Sequence, residues 1–341
     1  MVEKEVSVGE KLNFEDLRDR LILLTGGAGF IGSHLVDALM MSGARVRVID
    51  NLSSGTIDNV KRWIGEDSFE FIKGDLLNNH DLRKIIDGCE IVFHLAANPE
   101  VKLGFSAPRI HFEQNIVATY RLLEKLRRSE ALDLFVFTSS STVYGDAEEI
   151  PTGEAYGPLK PISIYGAAKL ASEALISSFA YNYGFRAAIC RLANIVGPRS
   201  RHGVIYDFIM KLKRNPKELE ILGDGTQRKS YLYVDDLISA LSVIIKNVSG
   251  KVEVFNVGSE DWIDVKRIAK IIVEEMNLGK VIFRFTGGVD GGRGWKGDVK
   301  YMLLSMEKLK ALGWKPRFNS AEAVRKTARE LIRELYILKT S

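Results

Sequence analysis

Short runs that are apolar at nearly every position alternate along this chain with longer stretches whose apolar residues recur every three to four positions. RLILLTG leads into a helix-length stretch through Ala38 to Met41. ARVRVID, FEFIKGD, a helical stretch near Asp81 to Ile86, EIVFHLAA, another helical stretch near Glu113 to Arg128, and LDLFVFTSSS follow in turn. Strands that are apolar on both faces belong to parallel sheets covered by helices on either side. The alternation therefore predicts a doubly wound α/β fold. A long helix is expected over ISIYGAAKLASEALISSFAYNYG and a further core strand in FRAAICRLANIVGP. Beyond Gly184 the rhythm mixes loops, helices and shorter strands up to a last helix over Ser320 to Leu338, which predicts a smaller C-terminal α/β lobe.

The expected division is an N-terminal extension over 1–19, a nucleotide-binding domain over 20–185, and a mainly substrate-binding lobe over 186–341. LYVDDLISALSVIIK reads as material that rejoins the first domain at about 230–248. There is no internal repeat and no low-complexity tract.

Composition narrows the function classes. At 341 residues with 46% apolar and 27% charged side chains, the chain has the balance of an ordinary folded protein. Its formal charge of +4, 48 Lys and Arg against 44 Asp and Glu, is spread without the dense basic blocks that phosphate-backbone binding needs, so no nucleic-acid partner is expected. No stretch approaches the ~20 apolar residues of a spanning helix. The charged opening segment lacks the apolar core of a secretory signal, so a cytoplasmic protein with no membrane partner is expected. Cys89 and Cys190 sit in apolar strand-like text and are expected to be free thiols.

The chemistry starts at LILLTGGAGFIGSHLVDALMMSGARVRVID, where a strand, the glycines Gly26, Gly29 and Gly32, a helix and a second strand succeed one another. Gly26 permits a tight turn, Gly29 lets backbone N–H groups approach a pyrophosphate, and Gly32 lets helix and sheet pack closely. The positive end of the helix, opening with Phe30 and Ile31, then faces the phosphates. This is the Rossmann dinucleotide arrangement, in its required strand-to-helix setting. Asp50 and Asn51 end the second strand, eighteen residues past Gly32, where a carboxylate accepts from both ribose hydroxyls and repels a 2′-phosphate. NAD is thus the expected cofactor, with Asp50 otherwise capping the NLSSG turn. Asp75 and Leu76 follow the third strand, and Leu95, Ala96 and Ala97 the fourth. These are the strand ends at which open α/β sheets bind ligands. His94, beside them, reads as a buried structural histidine. No metal cluster is expected.

Tyr165 and Lys169 lie in YGAAK near the start of the long helix, four apart and so on one face. A free phenol has a pKa of ~10, but a neighbouring ammonium and a bound nicotinamide cation both favour phenolate. Upstream, TSSSTVYG ends the fifth strand with hydroxyls suited to a substrate alcohol or a developing oxyanion; Ser140 is the expected partner.

Through TGGAGFIG, Asp50, HLAA, Asn115 in FEQNIVAT, TSSSTVYG, YGAAK and RLANIVGP, residues 20 to 330 resemble the extended short-chain dehydrogenase/reductase family. Within it they look most like UDP-glucose 4-epimerases. The resemblance implies Ser140, Tyr165 and Lys169 as the catalytic set, with Lys169 and Asn115 also on the cofactor side. It implies Asn194 as a contact to the substrate's phosphate, with Ser141, Thr142 and Val204 on the substrate side; the aromatic Tyr206 and Phe208 are expected either to wall a base or to pack in the core. It further implies a UDP-sugar substrate and a homodimer, for which the helices near Glu113 to Arg128 and Tyr165 to Tyr183 are available.

Related dehydratases carry Thr-Asp-Glu at the strand-five positions, where this chain has Ser140, Ser141 and Thr142. With no carboxylate there, the acid and base that expel water are missing. Two basic positions also depart from the pattern. DGTQRKSY has Lys229 where many relatives have arginine, with Arg228 beside it, and the Arg-x-Gly-Asp position reads Trp295-Lys296-Gly297-Asp298, with Arg293 two residues earlier. Lysine cannot form the bidentate phosphate fork of arginine. Arg228 or Lys229, and Arg293, are the expected pyrophosphate contacts. The competing expectations are a nucleotide-sugar dehydratase or decarboxylase, an alcohol dehydrogenase with exchanging NAD, and a non-catalytic nucleotide sensor. The intact Tyr165 and Lys169 speak against the last.

Overall fold

The computed structural model describes residues 14–78, 82 and 85–337. The helix expected near Asp81 to Ile86 and most of the N-terminal extension lie largely outside the described residues. Seven of the described strands form one parallel sheet: β1 (Leu21–Thr25), β2 (Arg45–Asp50), β3 (Phe69–Lys73), β4 (Ile91–His94), β5 (Leu134–Ser140), β6 (Arg186–Leu192) and β11 (Val252–Val257). Their order is β11-β6-β5-β4-β1-β2-β3. The order turns back between β1 and β4, and Thr25 pairs with both Ile49 and His94, so a crevice opens at the C-terminal ends of these strands. That crevice is where the Rossmann fold holds its ligand.

Both faces of the sheet are buried, as the uninterrupted apolar runs require. One face carries Leu24, Val48, Phe93, Val136 and Phe255 against α1 (Phe30–Met41) and, farther along the chain, α5 (Val234–Asn247). The other carries Leu23, Ile49, Val92, Phe135 and Ile189 against α2 (Ala118–Leu126) and α3 (Ile164–Tyr183). Each fully buried Leu, Ile or Phe contributes about 1.5–3 kcal/mol. Successive residues of a strand serve opposite faces, so a one-residue slip would exchange the two cores.

The sheet takes two strands from beyond residue 185. β6 is buried along nearly its whole length and hydrogen-bonded on both sides, so the sheet continues past residue 185. The helix expected from Glu113 also differs: Phe112–Val117 is a π-turn, and regular helix resumes at Ala118. The remaining core lies among α4 (Val204–Arg214), α6 (Val265–Glu275) and α7 (Ser320–Ile337), with Phe208, Ile268 and Val324 at its centre. Phe208 is 2% exposed there, the core position of its two expected places. The short strands β7 (Asn194–Val196) and β10 (Tyr231–Tyr233) pair in parallel, as do β8 (Glu218–Ile221) and β13 (Ile282–Phe285), and β9 (Arg228–Lys229) lies between β12 (Ile263–Asp264) and β14 (Tyr301–Met302). Both cysteines are buried and free. Among the described residues no helix is long and apolar enough to cross a membrane.

Candidate active site

The turn after β1 is shaped by sterics. Gly26 has φ +74, and a Cβ there would meet the Ala96 backbone at 2.8 Å. A Cβ on Gly32 would stand 2.2 Å from the Gly26 carbonyl oxygen. Gly29 is the N-cap of α1 with no side chain across the helix end, so the first N–H groups, those of Phe30 and Ile31 among them, face the crevice. Asp50 secures this turn, its carboxylate accepting from Ala28 N at 3.0 Å and Leu52 N at 2.8 Å. Burial raises its pKa while these two bonds lower it. Each oxygen keeps a further lone pair beside the bond it accepts. Asn51 donates to Asp75, which accepts in turn from Leu77 N, joining the ends of β2 and β3. Leu76 is buried in the second core, and Leu95 and Ala96 are half-buried at the end of β4. A cradle that admits no Cβ, an open helix N-terminus and a buried carboxylate fit a dinucleotide.

A buried polar chain runs from β1 to the π-turn. Thr119 donates to the Asn115 carbonyl at 2.6 Å, so it accepts from His94 Nε2–H at 2.9 Å, and His94 Nδ1 accepts from Thr25 at 2.7 Å. Burial, followed by the Lys169 charge, pulls the His94 imidazole down to about 3, so it stays neutral as a structural link. Asn115 is 2% exposed, and its Oδ1 accepts from Asn98 N at 2.8 Å. Its amide therefore holds the loop after β4.

Ser163 caps α3 by accepting from Gly166 N, which places Tyr165 and Lys169 in the first turns. Lys169 donates to the Thr138 carbonyl at 2.8 Å, and its Nζ lies 5.8 Å from the centre of the Tyr165 ring. Burial pushes the Tyr165 phenol up to about 12 against a hydrogen bond with Ser140 that lowers it. Burial likewise pulls the Lys169 ammonium down to about 7 against the pull of Glu173. Thr142 donates both its N–H, at 3.2 Å, and its hydroxyl, at 2.9 Å, to Ser140 Oγ. Ser140 is thus a fixed acceptor whose own proton is free to serve the phenol or a ligand. Ser141 is 8% exposed and Thr142 half-buried. One helical turn beyond Lys169, Glu173 accepts from Ser139 and from Arg191, Nη2 to Oε2 at 2.8 Å, with both ionic side chains 6% exposed. Sequence reading missed this pair, although Glu173 continues the i, i+4 series of Tyr165 and Lys169.

Charge pairs hold the loops that carry the basic positions singled out from sequence. Arg228 and Lys229 are adjacent in β9, so their side chains take opposite faces. Arg228 lies over Trp262, 6.0 Å from the ring centre, beside a surface pocket of about 300 Å³. Lys229 pairs with Asp298 at 2.5 Å. Arg293, expected to be a phosphate contact, grips Asp146 with both terminal nitrogens at 2.9 Å and also donates to the Asp298 carbonyl. Trp295 lies between Lys102 and Lys229, 4.7 and 5.5 Å from its ring centre, and its buried indole N–H has no partner among the described residues. Asn194 donates to the Ser230 carbonyl at 3.1 Å, while Val204 and Tyr206 begin α4, half-buried.

A Rossmann cradle with a Tyr and Lys pair on the helix beneath it defines the class of NAD-using enzymes that act on alcohols. Residues 22–258 match the model of the NAD dependent epimerase/dehydratase family, and the chain belongs to that family. A putative UDP-glucose 4-epimerase of Methanocaldococcus jannaschii is 33% identical over 314 residues, 90% of this chain and 96% of that protein. UDP-glucuronic acid decarboxylase 1 of Xenopus tropicalis is 30% identical, over 92% of this chain and 72% of that protein. A solved UDP-galactose 4-epimerase superposes with a TM-score of 0.81 at 46% identity, covering 92% of this chain and 99% of that one. The protein is an NAD-dependent enzyme on nucleotide sugars, with the Rossmann-like fold expected from its sequence.

Proposed function

We propose that the enzyme interconverts UDP-glucose and UDP-galactose by reversible oxidation at C4 of the sugar. The observation that carries this reading is the set Ser140, Tyr165 and Lys169 with no carboxylate at the end of β5. It moves a hydroxyl proton but lacks the acid and base that would expel water. NAD, held by the Gly26 to Gly32 turn and Asp50, supplies hydride acceptor and donor chemistry and a positive nicotinamide when bound.

Tyr165 takes the proton of the sugar 4-hydroxyl, and Ser140 hydrogen-bonds the same oxygen and steadies it. Lys169 lowers the cost of the phenolate. After the 4-keto sugar has turned about its link to the pyrophosphate, Tyr165 returns the proton and the sugar leaves with its oxidation level unchanged. Turning requires a firmly held nucleotide and a loosely held sugar. Lys229, Asn194, Val204 and Tyr206 suit the nucleotide side. The unpartnered Trp295 N–H offers a donor where the family motif carries arginine. Arg228 is exposed on the other face of β9, and Arg293 reaches a phosphate only by sharing or releasing Asp146. A homodimer through the outer faces of α2 and α3 is consistent with the exposed Tyr120 and Tyr181.

The test is incubation with UDP-galactose, without and with added NAD, and separation of the products by ion exchange. UDP-glucose without net NADH is the expected result. A pentose or deoxy-keto product would overturn the reading.

A further inference from the structure

His111 belongs to none of the motifs above, yet it is fully buried where three pieces of the site meet. Its ring meets Tyr165 edge to face, with centres 5.6 Å apart. Its Nδ1 lies 3.2 Å from Asn115 Nδ2 and its Nε2 lies 3.1 Å from the Glu100 carbonyl oxygen. An amide nitrogen only donates and a carbonyl only accepts, so the ring is the neutral tautomer with its proton on Nε2. Asn115 in turn holds Asn98 in the loop after β4, which borders the nucleotide crevice.

We propose that His111 is a positioning residue for NAD binding: as the neutral Nε2–H tautomer it fixes Asn115 and the Glu100 carbonyl, and through them the loop over residues 95–100, while its ring seats Tyr165.

The geometry explains why an imidazole occupies this place. A phenyl ring would keep the contact with Tyr165 but leave the buried Asn115 amide only its long bond to the Asn98 carbonyl, at 3.4 Å, and the Glu100 carbonyl only the Leu103 N–H. Gly104 packs beside the ring, where an added Cβ would stand 3.3 Å from it. Protonation would turn Nδ1 from acceptor to donor against a donor. The charged groups that face the ring are Glu100, in the loop after β4, which favours the imidazolium, and Lys169, on α3, which opposes it. Burial, joined by Lys169, outweighs Glu100 and lowers the pKa. The tautomer is thus intact at neutral pH and is lost only as the pH falls below the usual imidazole range.

The test is NAD affinity, measured calorimetrically on nucleotide-free full-length protein from neutral pH into the acid range, with thermal unfolding as the check on folding. It needs no sugar, so failure of the UDP-sugar reading leaves it decisive. His111→Phe should bind NAD about tenfold more weakly at neutral pH, the effect of about one lost hydrogen bond to a buried group. In His111→Asn the side-chain oxygen accepts from Asn115 as Nδ1 does, so most of the affinity should return without the wild type's loss in acid. Wild-type affinity in His111→Phe, equal weakening in both variants, or an unchanged acid loss in His111→Asn would overturn the proposal.

Discussion

The turn from β1 into α1 and the loop from Val289 to Asp298 both border the cleft and are both rich in glycine, yet different forces hold them. In the first, Gly26 and Gly32 approach backbone so closely that one added carbon collides, and Asp50 locks the result with two hydrogen bonds. In the second, Arg293 closes on Asp146, Lys229 on Asp298 and Lys300 on Asp224, pairs partly open to water. Charge pairs that reach water are individually weak, and of these three only Lys229–Asp298, at 19% and 3% exposed, is largely buried. A steric requirement admits one residue type, whereas a charge pair can be met by several arrangements. The cofactor side is therefore uniform in its logic, and the sugar side is where this chain differs from the motif of its family.

The sharpest test of that contrast is Tyr165→Phe. Turnover should fall by about 10²–10⁴-fold, the usual contribution of a general base, while NAD titration shows the cofactor still bound. Next is Glu173→Gln, which strands the Arg191 charge among buried groups and should cost about 3–5 kcal/mol in denaturant unfolding. On the sugar side, Lys229→Met should raise KM for the nucleotide sugar about tenfold and leave NAD affinity unchanged. A loss of NAD affinity in that variant would show that the two sides are not separable.

The smallest effect concerns pH. Between about 7 and the ordinary lysine value, the unfolded chain holds a proton on Lys169 that the folded chain has released, so this group makes stability rise with pH over that window. Lys169→Met should remove that increment in unfolding measurements made across the window.

The fold was legible because its signals are local and redundant: strands apolar on both faces, and glycines in a required strand-to-helix setting. Tyr165 and Lys169 were legible because helical periodicity alone puts them together, and the structure brings Ser140 to them. Partnerships across distant segments were not. Arg293 reads from sequence as a free cation, but Asp146, which binds it, lies 147 positions away. The π-turn that aims Asn115 leaves no periodic mark, because it adds a single residue to a turn that otherwise reads as helix. His111 was hidden for the same reason, being four residues before Asn115 on a segment whose apolar pattern gives no hint of a buried imidazole.

The placing of Trp295 has an optical consequence. Its indole sits at the mouth of the cleft between two ammonium groups, whereas Trp63 lies on the α1 side beside Asp37 and Trp314 is packed in the main core. Ligand charge arriving at those lysines would change the field across that indole, while Trp262, beneath Arg228, reports on the outer face of β9. With the nucleotide sugar bound there as proposed, the protein would carry its own emission probe for occupancy of that side, readable without label or coupled enzyme.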